Sequence, residues 1–113
     1  TTAGLHFKED RAFNFTDATF RPISGNGDVD TLVMSHSSVN FDRTGFVEDI
    51  NVVFPIDALR KIERESKVKE LAPFFFTCMG GIYSQRRVDQ ELAPSLVQRC
   101  LEDEIDVVLL IPV

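Results

Sequence analysis

A chain of 113 residues is one domain or a piece of a larger one, with room for a modest core. Its 43% hydrophobic and 27% charged residues are ordinary for a globular protein, and a net charge of −6 without a basic stripe argues against non-specific nucleic-acid binding. No run approaches the ~20 apolar residues of a membrane span.

Thr1-Thr2-Ala3-Gly4-Leu5-His6 lacks a basic stretch followed by an apolar core, so no export signal is read there and a cytoplasmic location is expected. Residues 1–19 show no period; Phe7, Phe13 and Phe15 are scattered among charges, as in an extended arm pinned by aromatics ahead of an α/β core over 20–113. A short strand is predicted at Phe20–Ile23, confined to a sheet edge by Pro22. Ser24-Gly25-Asn26-Gly27-Asp28 reads as a turn; it has neither the third glycine of a dinucleotide fingerprint nor the Lys-Ser/Thr of a phosphate loop.

Thr31–His36 is the next strand candidate, and it runs into a long polar loop ending at Phe46. Pro55 suits the first turn of a helix in which Ile56, Leu59 and Ile62 share a face, fading near Ser66. Leu71–Met79 reads as an apolar strand ended by Gly80-Gly81. Val88, Leu92, Leu96, Val97, Cys100 and Leu101 then recur at helical spacing over roughly 88–103, with Pro94 as a kink or restart and Cys100 on the buried stripe. Cys78 and Cys100 are well separated and are expected as reduced thiols. Last comes Asp106–Val113, five consecutive apolar residues from Val107 to Ile111 that read as a strand buried on both faces.

Strand, loop, helix, strand, helix, strand predicts an α/β fold: a three-layer-like parallel, possibly mixed, sheet with right-handed crossover helices. Residues 1–113 form a single α/β domain or the amino-terminal half of a larger one. In such sheets the carboxyl ends of the strands carry ligands and reactive groups.

The residues that point to chemistry follow Thr31–Met34. Ser35-His36-Ser37-Ser38 sets a histidine among three hydroxyls: either a general acid/base or substrate-carboxylate donor, or an organiser of its own loop. Asn40, Asp42 and Arg43 follow; Arg43 either clamps a carboxylate in bidentate fashion or pairs with Asp42 or Glu48. No GxSxG elbow supports a serine-hydrolase triad, and His6 and His36 alone do not make a metal site. The residues by themselves support an α/β domain with a polar loop suited to a small polar ligand.

Ser35-His36-Ser37-Ser38-Val39-Asn40-Phe41-Asp42-Arg43-Thr44-Gly45-Phe46 with Asp49–Asp57 resembles the selenoprotein B family of glycine, sarcosine, betaine and D-proline reductases. Thr1–Lys8, Leu71-Ala72-Pro73, Met79-Gly80 and Asp106–Val113 carry the same likeness, and Ser38–Phe46 points to the proline branch. The resemblance implies reductive cleavage of D-proline to 5-aminovalerate, a dithiol-type oxidoreduction in amino-acid fermentation. It also implies a partner subunit whose pyruvoyl group activates the substrate amine. A selenolate attacks the carbon bearing that amine, and a nearby cysteine resolves the adduct. In the family, the segment resembling Leu110-Ile111-Pro112-Val113 is followed directly by the selenocysteine, encoded by UGA.

The expectation is therefore an amino-terminal part cut at its own catalytic codon, inactive alone, without a cofactor of its own and with no metal. His36 is its candidate acid/base; Ser35, Ser37, Ser38, Asn40, Asp42 and Arg43 are its substrate-binding candidates. The alternatives are a glycine, sarcosine or betaine reductase subunit, or a non-enzymatic ligand-binding or assembly module. An unfinished sheet edge predicts a homo-oligomer.

Overall fold

The computed structural model describes all of residues 1–113. Its strands are β1 (Leu5–His6), β2 (Phe20–Ser24), β3 (Val33–Met34) and β4 (Phe74–Cys78). The helices are α1 (Thr44–Glu48), α2 (Ile56–Arg64), and α3 (Gln85–Arg87), which passes through a π-helical turn (Val88–Leu92) into α4 (Ala93–Glu102). Single 3-10 turns lie at Val29–Thr31 and Ile50–Val52.

The mixed α and β content is as expected, but the parallel three-layer sheet is not present. Two antiparallel two-stranded sheets stand in its place, β1 with β3 and β2 with β4. The alternation of strands and helices misleads here because the partner strands come from the amino-terminal stretch, whose short apolar segments carry no visible period. β2 pairs with β4 from Phe20 opposite Cys78 to Ser24 opposite Phe74. With β4 as its single partner, β2 is an edge strand, the place where Pro22 costs least.

The first residues of the chain join the two sheets. Thr1 and Gly4 bond to β4: the Cys78 N–H donates to the Thr1 carbonyl and the Gly4 N–H to the Cys78 carbonyl, both at 3.0 Å. Ala3 bridges Met79. The chain then turns at Gly4, where φ is +63°, and Leu5 and His6 pair with Met34 and Val33. A Cβ on Gly4 would stand 3.0 Å from the Met79 sulfur, so both the backbone sign and the packing call for glycine.

Ala3, Leu5, Ile23, Val29, Leu32, Val53, Phe54 and Ile56 form the core, with Phe7, Met34, Phe46, Ile50 and Phe75 packed against it. α2 begins where expected, with Pro55 one position before the first helical residue and the Asn51 side-chain oxygen accepting from the Asp57 N–H at 3.0 Å. It ends at Arg64, and Ser66 takes a left-handed φ of 55°. Pro94 is absorbed by the π turn before it: a wider turn removes the demand for the hydrogen bond that proline cannot donate. Ser84 caps this helical run through its hydroxyl, which accepts from the Arg87 N–H.

Two expected burials do not occur. On the last helix Leu92 is buried, but Cys100 is only half-buried and Leu101 is exposed, because α4 rests on β4 chiefly through Arg99 over the rings of Phe74 and Phe76. The Asp106–Val113 segment is not a buried strand either. It is extended and unpaired along Val107–Leu110, touching the fold through Ile111 and Val113, which bond to Thr2. No residue after Met79 other than Leu92 is buried, so the core lies almost entirely in the first 79 positions.

Thr77 is 1% exposed, and its hydroxyl accepts the Leu5 N–H at 2.9 Å. Thr77→Val would keep the shape and strand an amide in the core, at a cost of about 1–3 kcal/mol. Urea denaturation should place Thr77→Val well below wild type and Thr77→Ser between them.

Candidate functional site

His36 follows the carboxyl end of β3 and is 6% exposed. Its ring stacks on Phe41 with centroids 4.4 Å apart. Its Nδ1 accepts the Ser38 N–H at 3.2 Å, so the neutral ring carries its proton on Nε2. Burial, and then the nearby Arg43 guanidinium, hold its pKa below the ordinary histidine value. At neutral pH this imidazole is therefore uncharged and presents Nε2–H as a donor.

Arg43 reaches back to the His36 carbonyl with its guanidinium, at 2.5 Å. It forms no ion pair with Asp42 or Glu48; its visible work is to close the loop on His36. The Asp42 carboxylate accepts from the Thr44 N–H at 2.9 Å and fixes the entry to α1; those hydrogen bonds hold it below the usual carboxylate range.

An open cleft of about 440 Å³ is lined by His36, Ser38, Asn40 and Phe41 from one strand end, by Gly80, Gly81, Ile82 and Tyr83 from another, and by Val113. The second set follows the carboxyl end of β4, as the first follows β3. A second open depression of about 460 Å³, which shares Phe41 with the first, is lined by Asp42, Arg43, Thr44, Val47 and Glu48. Of the seven residues singled out in sequence, His36, Ser38 and Asn40 thus share one cleft, while Asp42 and Arg43 line its neighbour. Ser35 turns to the amino-terminal arm, its hydroxyl accepting the Phe13 N–H at 2.9 Å. Ser37 lines neither depression.

Gly80, Gly81, Ile82 and Tyr83 line the cleft without having been among the residues singled out in sequence, where the glycine pair marks the end of a strand and Met79-Gly80 contributes to the family resemblance. The available signal was their place, immediately after an apolar strand. Gly80 admits the carboxy-terminal segment: a Cβ there would stand 3.2 Å from the Thr2 hydroxyl and 3.3 Å from the Val113 carbonyl oxygen. A Cβ on Gly81 would meet nothing within 4 Å, so the space at Gly81 is open.

No group of three or more His, Cys, Asp or Glu side chains is placed to hold a metal ion, and no helix is long and apolar enough to cross a membrane. Cys78 lies on β4 beside Thr1, outside this cleft, and burial pushes its thiol up.

Hydroxyl, imidazole and amide groups thus line one cleft at two strand ends. Residues 22–112 match the family model described as Glycine/sarcosine/betaine reductase selenoprotein B. The chain belongs to this family of reductase components. Among curated proteins it is 37% identical over 111 residues to D-proline reductase subunit gamma of Acetoanaerobium sticklandii, covering 97% of this chain. It spans 45% of that relative's length. No solved structure matches the chain.

The lowered proton affinity of His36 has a consequence for stability. Below the ordinary value of 6.5 the unfolded chain binds the proton more readily than the folded one. The contribution is therefore complete above about pH 6.5 and is lost as pH falls through the folded value. His36→Asn keeps an acceptor for the Ser38 N–H but cannot titrate. Its urea midpoint should fall less than that of wild type between about pH 7.5 and about pH 5; equal falls would show that His36 is not the group responsible.

Proposed function

We propose that these residues form part of a reductase selenoprotein subunit that, with a pyruvoyl-bearing partner subunit, cleaves D-proline reductively to 5-aminovalerate in the cytoplasm. The observation that carries this reading is the 37% identity, over nearly the whole chain, to a D-proline reductase subunit. The cleft geometry supports it: Val113 lines the same cleft as His36 and Gly81, and the space at Gly81 is open. That space fits a selenocysteine adjoining Val113. Such a selenolate supplies a nucleophile, and the partner's pyruvoyl group supplies the carbonyl that activates the substrate amine.

The chain's own residues bind and orient. His36, neutral and protonated on Nε2, suits donation of a hydrogen bond to the substrate carboxylate better than storage of a proton for the leaving nitrogen. The Asn40 amide and Ser38 hydroxyl line the same cleft and complete a neutral polar surface. Arg43 acts through the His36 carbonyl, as a positioning residue. Phe41, packed flat on the imidazole, limits the rotation of the ring and keeps water from one of its faces.

The family description names glycine, sarcosine and betaine, so a substrate panel decides the branch. The complete subunit with its partner and a dithiol reductant should turn over D-proline and leave those three substrates unconsumed. Reduction of glycine, sarcosine or betaine instead of D-proline overturns the proline assignment. His36→Asn should lower kcat/KM for D-proline on the order of 10²-fold, much of it in KM, while Ser35→Ala stays near wild type. An unchanged His36→Asn enzyme would remove His36 from the site.

A further inference from the structure

The Val107–Leu110 segment combines features that a finished fold does not leave together. Val107 is 84%, Val108 53%, Leu109 61% and Leu110 77% exposed, so successive side chains of the segment are all uncovered. Both faces are therefore bare. None of the backbone N–H or C=O groups of these four residues takes part in a hydrogen bond within the chain. Both edges are bare too. Val97 and Leu101 on α4 add further exposed apolar surface.

Branched apolar residues free on both faces and both edges have the composition of a central strand without its sheet. Water can satisfy the amides, but four large aliphatic side chains exposed in a row forgo the free energy of burial. What could cover them is bounded by length: the relative that matches 97% of this chain is more than twice as long, since the match spans 45% of it.

We propose that Val107–Leu110 is a strand of a sheet completed by the rest of the subunit's own polypeptide. That segment adds strands to its edges and buries both of its faces. The inference rests on the reading of these residues as part of a longer subunit, and not on which substrate that subunit reduces. A sheet formed there would also hold the backbone that leads into the cleft. Ile111 and Val113 are already tied to Thr2, so pairing along Val107–Leu110 would fix the position of Val113 from both ends.

Hydrogen–deuterium exchange followed by mass spectrometry tests this on the complete subunit and on the 113-residue chain. Amides of Val107–Leu110 should exchange at least tenfold more slowly in the complete subunit, at concentrations where sedimentation shows it monomeric, than in the shorter chain. Leu109→Asp in the complete subunit should abolish that protection or leave the protein insoluble. Fast exchange in a subunit that reduces D-proline overturns the inference alone. Protection that rises with concentration, together with a sedimenting dimer, assigns the surface to a second copy and overturns it as well. Protection in a subunit that does not reduce D-proline upholds it while removing the proposed reaction. A reading frame that stops at Val113 overturns both.

Discussion

Gly4 is the point on which the architecture turns. Its N–H donates to Cys78 at the end of β4, and its carbonyl accepts from Ser35 at the start of the polar loop. One residue thus binds both sheets, and a φ of +63° lets it do so without a detour. The chain runs along β4 before this residue and along β3 after it. The two strand ends that carry His36 and Gly80 are brought side by side as a result. Thr77, receiving the Leu5 N–H just past the turn, satisfies the amide that the change of direction would otherwise leave bare.

The polar loop is organised around His36 as much as it is equipped by it. A buried imidazole is tolerated because its Nδ1 has a donor in Ser38, its face has Phe41, and its own carbonyl has Arg43. Each of those contacts is local in sequence, so the loop holds its shape largely by itself. Burial and a neighbouring cation then set the charge state: both oppose protonation, leaving a neutral donor at neutral pH. The contacts that fix the ring also fix its tautomer.

The balance between core and surface differs sharply along the chain. Ala3, Leu5, Ile23 and Ile56 are essentially inaccessible to solvent, whereas α4 and the residues after it remain mostly exposed. α4 is held by the Arg99 guanidinium over two phenylalanine rings, a contact of the kind that suits a partly solvated surface, and Arg99 also pairs with Asp103 at the helix's own end at 2.8 Å. The same exposure leaves Val113 accessible at the edge of the cleft.

Signals that are local were legible in the sequence alone. The α2 face, the restart at Pro94, the β2 edge marked by Pro22 and the apolar β4 before Gly80-Gly81 all lie in short-range composition and period. So did the family, because the run from Ser35 to Phe46 is specific. Strand pairing was not legible: β1 is two residues long, and its partner β3 is separated from it by the amino-terminal arm, the whole of β2 and the turn that follows. Nor was the part of Gly80 in the cleft, since the meeting of Gly80 with Val113 depends on a bond between Thr2 and the far end of the chain. The apolar content of Asp106–Val113 was evident from its residues, but burial is a property of neighbours, and within these 113 residues the tertiary structure supplies that segment with almost none.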